Sequence, residues 1–250
     1  MPKVMILGGT AEAGELAARL AGDKRLDTVT SLAGLTRLPN VAGHVRRGGF
    51  GGPDGLAQML REEGYDALVD ATHPFAAQIA RHAAEAAEAA GVPRIKLMRP
   101  AFERRPGDAF LEVSDMAEAA AAIPQGARVF LAAGRREIRP FAERADLWCL
   151  VRMLEPPVPG EKLPAGELVL GLPPSEAEEE AALLTKHGIG WIVSKDSGGR
   201  ASAKIEAARR LGLKVVLVKR PEPPPGPQAA QLEAILAWLE ATLFPPAGQG

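Results

Sequence analysis

The chain has one cysteine, Cys149, and one tyrosine, Tyr65, among its 250 residues. A single cysteine excludes a disulfide within the chain and any zinc site built from several cysteines. The sequence also lacks a long apolar run, since none approaches the ~20 residues that a membrane-spanning helix needs. Its first residues pass directly into Gly8-Gly9 and show no signal-peptide pattern. These absences predict a soluble cytoplasmic protein without a membrane partner.

The chain has no excess of charge of either sign. Its 30 basic residues stand against 31 acidic residues, a formal net charge of −1. This balance gives no overall attraction to nucleic acid, so an anionic ligand has to be met by a local basic cluster. Hydrophobic residues at 46% and charged residues at 24% are ordinary for a globular protein. The four histidines are scattered, and no metal-binding set is apparent.

Short apolar runs alternate with alanine-rich stretches of helical period, a pattern typical of parallel sheets covered by helices. Strands are predicted, among others, at residues 67–70 and 214–218. The proline-containing stretch 99–107 interrupts the alternation, and we interpret it as the crossing between two α/β lobes. Ser114 is predicted to cap a helix, and an amphipathic helix over residues 231–243 closes the second lobe.

The first motif lies between the first predicted strand and the first predicted helix. It reads Leu7-Gly8-Gly9-Thr10-Ala11-Glu12-Ala13-Gly14. Glycines at such a turn let the backbone approach a diphosphate, and the helix N-terminus presents free N–H groups to it. The spacing meets the dinucleotide fingerprint G-x-G-x-x-G only in part. A tight turn without a ligand is the alternative.

The residues after the second strand of a Rossmann-type site choose between a ribose hydroxyl and a 2′-phosphate. Here the chain has no acidic residue and offers Ser31, Thr36 and Arg37. This composition favours the phosphorylated cofactor, while an ordinary loop with a solvated arginine is the alternative.

Two further strand ends in the first half carry candidate contacts. Arg46-Arg47-Gly48-Gly49-Phe50-Gly51-Gly52 suits a loop against a flat ligand, or equally a flexible turn with Phe50 in the core. Asp70-Ala71-Thr72-His73-Pro74-Phe75 ends a strand at the edge where parallel sheets bind ligands. Thr72 and His73 are therefore candidate cofactor or substrate contacts, and a structural cap is the alternative for His73.

Two strand ends in the second half combine glycine with basic residues. The first reads Ala132-Ala133-Gly134-Arg135-Arg136, and the second reads Val193-Ser194-Lys195-Asp196-Ser197-Gly198-Gly199-Arg200. A lysine, hydroxyls and a glycine pair before a helix predict a nest for anions, with a purely structural turn as the alternative. The chain has no Tyr-x-x-x-Lys pair, G-x-S-x-G elbow or phosphate-binding loop of the G-x-x-x-x-G-K-[ST] type.

Taken in order, these motifs resemble the precorrin-6A reductases of cobalamin biosynthesis. The resemblance runs from residue 4 to about residue 221. Its most specific parts are Asp70-Ala71-Thr72-His73-Pro74-Phe75-Ala76 and Ser194-Lys195-Asp196-Ser197-Gly198-Gly199, beside Gly8-Gly9-Thr10 with Glu12, Ser31-Leu32-Ala33-Gly34 and the glycines around Phe50. The family often has an arginine where this chain has Leu35. If that arginine reads the 2′-phosphate, Arg37 has to replace it.

The resemblance implies an NADPH-dependent reduction of one ring double bond in precorrin-6A or cobalt-precorrin-6A. It implies two Rossmann-like lobes, with parallel sheets flanked by helices and the active site in the cleft between them. Residues 1–98 would bind NADPH, residues 99–245 would bind the substrate, and 246–250 would be a flexible tail. The electron-poor macrocycle would take its proton from solvent, so no catalytic acid is assigned.

The implied site residues fall into two sets. Those for the cofactor are Gly8, Gly9, Thr10, Glu12, Ser31, Thr36, Arg37, Gly49, Phe50, Thr72 and His73. Those for the carboxylate arms of the substrate are Arg135, Lys195, Asp196, Ser197, Gly198 and Gly199, with Arg104, Arg136 and Arg200 as further basic residues. A non-catalytic sensor of NADP(H) or a tetrapyrrole, and a reductase of an unrelated substrate, remain as alternatives. The expected assembly is a monomer or a small homo-oligomer.

Overall fold

The computed structural model describes residues 1–32, 41–199 and 202–245. Within them, twelve strands are numbered in chain order: β1 (Lys3–Leu7), β2 (Asp27–Leu32), β3 (His44–Arg47), β4 (Ala67–Asp70), β5 (Arg94–Leu97), β6 (Phe110–Val113), β7 (Arg128–Ala132), β8 (Trp148–Met153), β9 (Gly166–Leu170), β10 (Trp191–Lys195), β11 (Lys214–Val218) and β12 (Gln228–Ala229). The α-helices of the same residues are α1 (Ala11–Ala21), α2 (Pro53–Glu62), α3 (Ala77–Ala90), α4 (Met116–Ala122), α5 (Arg139–Ala142), α6 (Ala177–Lys186), α7 (Ala203–Leu211) and α8 (Leu232–Leu243). None of these helices has the length and apolar character that a bilayer crossing requires.

The chain divides into two compact units, each with its own parallel sheet. The first unit contains residues Met1–Arg99 and Pro221–Gly250, and its strand order is β12-β5-β4-β1-β2-β3. The second unit contains Pro100–Arg220, and its order is β6-β11-β10-β7-β8-β9. Both sheets are flanked by helices, so the predicted α/β class with parallel sheets is confirmed.

The central strand β1 is buried on both faces because its side chains alternate between two cores. Val4 and Ile6 pack with residues of α1 and α8, whereas Met5 and Leu7 pack with residues of α2 and α3. A near-continuous apolar run is the sequence that a doubly covered parallel strand needs. Burial of each side chain of this size contributes about 1.5–3 kcal/mol to the free energy of folding. This packing keeps β1 in place, so the strand ends of the first unit lie at a fixed edge.

The C-terminal segment differs from the prediction, which placed it in the second lobe. Helix α8 belongs to the first unit, where Leu232, Ile235 and Leu239 pack in the same core as Val4 and Ile6. The short strand β12, which the sequence pattern does not predict, extends the first sheet beside β5. The chain therefore returns to its first unit after the second is complete. The predicted tail at 246–250 lies outside the described residues.

The second unit has one strand that was not predicted and one helix cap that was predicted at the wrong residue. Strand β6 is an additional parallel strand beside β11, in a stretch that the sequence pattern left unassigned. The N-cap of α4 is Asp115, whose carboxylate accepts from the Glu118 N–H at 2.8 Å, in place of Ser114. The Ser114 hydroxyl donates instead to the Glu118 carboxylate at 2.6 Å. Aspartate caps a helix as well as serine does, so the choice between adjacent candidates depends on the chain direction at the turn.

Candidate functional site

A cavity of about 440 Å³ opens at the carboxyl edge of the first sheet. Its volume lies in the range of small-molecule sites. Strand ends and the starts of α2 and α3 supply its walls: Leu7, Gly8, Gly9, Ser31, Gly48, Gly49, Phe50, Gly51, Gly52, Thr72, His73, Ala76, Gln78, Ile79 and His82. The cavity thus brings together seven predicted cofactor residues from four separate strand ends, because parallel strands all end at one edge.

The turn between β1 and α1 forms one side of this cavity. The Gly8 N–H donates to the Ser31 carbonyl at 2.9 Å, which continues the pairing of β1 with β2. Gly9 has a φ of +113°, a conformation that glycine adopts without strain. An added Cβ at Gly9 would meet no atom within 4 Å, so the backbone faces open space. A ligand can therefore approach the main chain closely here.

Thr10 and Glu12 support this turn from behind. The Thr10 hydroxyl donates to the Ala71 carbonyl at 2.9 Å and accepts from the Ala13 N–H at 3.1 Å, which caps α1. The Glu12 carboxylate pairs with Arg99 at 2.7 Å. Both residues border a second, far smaller cavity of about 10 Å³ instead of the large one. Their direct contact with a cofactor stays a prediction, while their structural contacts fix the helix N-terminus.

Arg46, which was not among the predicted site residues, organises the glycine-rich loop after β3. Its guanidinium donates to the Gly48 carbonyl at 2.8 Å and to the Gly49 carbonyl at 2.7 Å, and lies 4.3 Å from the centre of the Phe50 ring. Phe50 both lines the cavity and packs against the core of α2 and α3. The two alternatives for Phe50, ligand contact and core packing, are therefore compatible.

Ser31 lies at the end of β2 and lines the cavity. Its Oγ is 3.5 Å from a guanidinium nitrogen of Arg46, so a cation stands beside the position that reads the ribose in Rossmann-type sites. The predicted contacts Thr36 and Arg37, together with Leu35, lie outside the described residues. Arg46 was missed because it precedes the glycines on β3 and reaches Ser31 only through the pairing of β2 with β3.

The end of β4 carries a fully buried carboxylate, that of Asp70. The Asp70 carboxylate pairs with the Lys96 ammonium at 2.8 Å, and both side chains are almost completely buried. The other carboxylate oxygen accepts from the Thr72 N–H at 3.1 Å and from the Thr72 hydroxyl at 2.6 Å. These contacts set the conformation of Thr72 on the cavity wall. Lys96, which lies on β5, was not predicted.

His73 has a capping contact within its own turn. Its Nδ1 accepts from the Phe75 N–H at 3.2 Å, so the neutral ring carries its proton on Nε2. This is the structural role that the sequence analysis held as the alternative, and His73 also lines the cavity. Gln78, Ile79 and His82 complete the wall from α3 and were not predicted. Gln78 and Ile79 precede His82 by four and three residues, a spacing that places side chains near each other on a helix surface and could have indicated them.

The second unit has its polar turn at the end of β10. The Lys195 ammonium pairs with the Glu137 carboxylate at 2.6 Å, and that carboxylate also accepts from the Gly134 N–H at 2.8 Å. Gly198 and Gly199 both have positive φ, at +59° and +67°. Strand β10 lies beside β7 in the sheet, so the turns that follow these two strands meet at one edge. Lys195 thus occupies a fixed position at the carboxyl end of its strand.

Asp196 is engaged with the protein itself. Its carboxylate accepts from the Phe102 N–H at 2.9 Å and pairs with Arg104 at 2.9 Å, and the residue is buried. Arg104 also pairs with Glu112 at 2.7 Å, and this contact holds the pKa of the Glu112 carboxyl below its usual range. The Asp196 side chain therefore anchors the segment after the crossing. Ligand contact by Asp196 or Arg104 stays a prediction.

Arg135 borders a different cavity of about 570 Å³ at the surface of the second unit. It donates to the Pro156 carbonyl at 2.6 Å and lies 3.4 Å from the Glu161 carboxylate. Glu137, two residues after Arg135, binds Lys195. The Arg136 side chain and Arg200 lie outside what the structure describes.

The buried thiol of Cys149 is not a candidate nucleophile. Cys149 lies on β8 in the core of the second unit, and burial raises the pKa of its thiol to about 11. At neutral pH the thiol is therefore protonated, and a protonated thiol is a poor nucleophile.

Comparison with known proteins gives a consistent result. A family model described as precorrin-6x reductase CbiJ/CobK matches residues 3–240. The chain is 44% identical over 243 residues to a precorrin-6A reductase of Rhodococcus erythropolis, with 96% of this chain and 98% of the relative covered. It is 30% identical over 234 residues to a cobalt-precorrin-6A reductase of Priestia megaterium, with 88% and 91% covered. A solved structure named CobK precorrin-6A reductase superposes with a TM-score of 0.92 at 38% identity and covers 100% of both chains.

Proposed function

Because the chain belongs to the precorrin-6x reductase family, we propose that it reduces one ring double bond of precorrin-6A with NADPH in cobalamin biosynthesis. When bound, NADPH supplies a hydride to one ring carbon, and solvent supplies the proton that the neighbouring atom takes up. The chain's own residues bind and orient the two reactants. Holding the donor close to the acceptor accounts for a large part of the rate in such reactions.

The observation that carries the cofactor half of this proposal is the cavity at the edge of the first sheet. It has Gly9 at the β1–α1 turn and Ser31 at the next strand end. A dinucleotide binds with its diphosphate at the first turn and its adenosine ribose at the second strand. The open space at Gly9 and the capped N-terminus of α1 fit a diphosphate.

The proposed preference for NADPH over NADH rests on charge. Ser31 has no acidic neighbour in the sequence that would repel a 2′-phosphate, and the Arg46 guanidinium stands 3.5 Å from its Oγ. A guanidinium binds a phosphate through parallel hydrogen bonds. Arg46 is therefore a further candidate for recognising the 2′-phosphate, beside Thr36 and Arg37.

We propose the metal-free macrocycle as the natural substrate. The relatives named precorrin-6A reductase are 40–45% identical to this chain, whereas those named cobalt-precorrin-6A reductase are 30–32% identical. Higher identity over the full chain favours the function of the first group.

A turnover assay tests the proposed function. The visible spectrum of precorrin-6A should change with the enzyme and NADPH, more slowly with NADH, and not at all without a nucleotide. Cobalt-precorrin-6A in a parallel reaction should be reduced more slowly than the metal-free substrate. Binding of NADPH or the macrocycle without any spectral change would instead support a sensor. Binding of NADPH with no effect on either macrocycle would support a reductase of an unrelated substrate.

The second proposed ligand site is the turn that begins at Lys195, which we assign to carboxylate arms of the substrate. Lys195 pairs with Glu137 at 2.6 Å, and an ammonium has three donors and can hold more than one carboxylate. Ser197 and the backbone near Gly198 and Gly199 lie in the same turn and supply further candidate donors.

Lys195→Ala is expected to raise the KM for the macrocycle about 10- to 100-fold, because one charge-assisted hydrogen bond contributes about 1.5–3 kcal/mol. The dissociation constant of NADPH should stay nearly unchanged. Steady-state kinetics and a nucleotide titration measure the two quantities. Lys186→Ala, which removes the same charge from an exposed position at the end of α6, is the control. Loss of NADPH binding in Lys195→Ala would show that the two units have been assigned the wrong ligands.

A further inference from the structure

Thr72 is a cavity residue whose hydroxyl proton is already committed. The hydroxyl donates to the Asp70 carboxylate at 2.6 Å, and the carboxylate is paired at 2.8 Å with Lys96. An ionised carboxylate only accepts hydrogen bonds, and a hydroxyl has a single proton to give. Toward any ligand in the cavity, Thr72 Oγ1 can therefore act only as an acceptor.

The buried ion pair fixes the direction of the hydrogen bond between Thr72 and Asp70. Asp70 is fully buried and the Lys96 side chain is 2% exposed, so both charges have left water. Such a pair is a costly way to stabilise a core. It occupies both carboxylate oxygens, however, because one accepts from Thr72 and the other from Lys96. If residue 70 presented a donor in place of the first oxygen, the Thr72 proton would be released toward the cavity.

The order of the strands indicates which part of a dinucleotide lies near Thr72. Strand β1 has β2 on one side and β4 on the other. With the diphosphate at Gly9 and the adenosine ribose at Ser31 on the β2 side, the other half of the molecule extends to the β4 side. Thr72 follows β4 and lines the same cavity. The nicotinamide ring carries a carboxamide, whose N–H₂ group is a donor.

We infer that Thr72 Oγ1 accepts a hydrogen bond from the nicotinamide carboxamide, and that Asp70 and Lys96 are positioning residues that fix its acceptor character. This inference rests on the proposed function, since it requires a nicotinamide dinucleotide in the cavity. It assigns a role to Lys96, which lies on β5 and has no place on the cavity wall described above. It also makes the site selective for a ring substituent that can donate.

The test uses NADP⁺ and its 3-acetylpyridine analogue, in which a methyl ketone replaces the carboxamide. The analogue keeps the carbonyl oxygen and loses the N–H₂ donor. Dissociation constants for both nucleotides are measured by titration with the wild type, Thr72→Ser and Thr72→Val. Serine keeps the hydroxyl and is the matched control. Valine removes it at nearly the same volume, while the backbone N–H of residue 72 still binds Asp70.

In the wild type and in Thr72→Ser, NADP⁺ should bind more tightly than the analogue. In Thr72→Val this ratio should fall about three- to tenfold, the effect of one neutral hydrogen bond. An unchanged ratio in Thr72→Val would overturn the inference and leave the proposed function intact. If the wild type binds neither nucleotide, the inference and the proposed function are both contradicted.

The positioning role of Asp70 and Lys96 is tested by one variant that removes a charge and a second that restores the hydrogen bonds without charge. Lys96→Met removes the cation that holds the second oxygen of Asp70. The carboxylate then no longer has a fixed orientation toward Thr72, and the ratio should fall as in Thr72→Val. In Asp70→Asn/Lys96→Gln the asparagine carbonyl can still accept from Thr72 while its amide donates to the glutamine, so the ratio should return toward the wild-type value. A merely structural role predicts equal weakening for both nucleotides and no change of the ratio, which would remove the two residues from the inference.

Discussion

Gly9→Val is expected to weaken NADPH binding by more than about 100-fold while the chain still folds. Gly9 lines the cavity at the edge of the first sheet, and a Cβ at this position would meet no protein atom within 4 Å. The valine side chain would therefore fill space that the diphosphate needs, without colliding with the protein. The loss of close backbone approach removes the hydrogen bonds that hold a diphosphate at such a turn.

Backbone strain has to be separated from the steric block in this variant. Gly9 has a φ of +113°, and a side chain at such an angle costs about 1–3 kcal/mol. Gly171→Val is the matched control, because Gly171 has a φ of +125°, an open Cβ position and a place in the second unit. Titration with NADPH and thermal unfolding should show normal affinity for Gly171→Val and lost affinity for Gly9→Val. Normal affinity in a folded Gly9→Val protein would disprove the placement of the diphosphate.

Gly198→Ala is expected to destabilise the second unit by about 2–5 kcal/mol and to disturb the Lys195 turn. A Cβ at Gly198 would lie 1.8 Å from the Pro100 carbonyl oxygen and 2.6 Å from a guanidinium nitrogen of Arg220. These groups cannot move independently, because Arg220 donates to the Pro100 carbonyl at 2.9 Å and to the Asp196 carbonyl at 2.5 Å. The left-handed backbone contributes about 1–2 kcal/mol of this cost and the overlap about 1–3 kcal/mol.

The matched control for this prediction is Gly212→Ala. Gly212 has a φ of +63°, close to the +59° of Gly198, and no atom lies within 4 Å of its Cβ position. It should therefore show the backbone cost alone. Urea unfolding measures the difference between the two variants, and the KM for the macrocycle should rise only in Gly198→Ala. Equal stability of the two variants would mean that the turn can shift to accept the added methyl group. Its contacts with Pro100 and Arg220 would then not fix its position.

The predictions that succeeded depended on local pattern. The strands predicted at residues 67–70 and 214–218 are found with those bounds, since a short apolar run between turn residues specifies a buried strand without reference to the rest of the chain. The turn at Gly8 and Gly9 was predicted for the same reason, because a strand, a glycine turn and a helix follow each other directly, and its binding of a ligand stays a prediction. Family membership was equally readable, and the comparisons confirm it.

The predictions that failed depended on where distant segments meet. Helix α8 has an ordinary amphipathic pattern that would pack on either sheet. Only the tertiary structure shows that it packs in the core around Val4 and Ile6. The protein contacts of Asp196 also could not be foreseen from its turn. Its carboxylate accepts from the Phe102 N–H, a partner 94 positions away in the sequence, and its contact with substrate stays a prediction.

The sequence by itself determined the parallel α/β architecture, the glycine turns at the strand ends and the family, because strand length, helical period and turn chemistry are properties of neighbouring residues. Only the tertiary structure decided which polar groups touch. Lys96 reaches Asp70 across 26 positions, and Arg46 reaches Ser31 across 15, because adjacent parallel strands bring their carboxyl ends to one edge. A buried charge needs a partner, and the partner is chosen by the strand order of the sheet and not by the spacing along the chain.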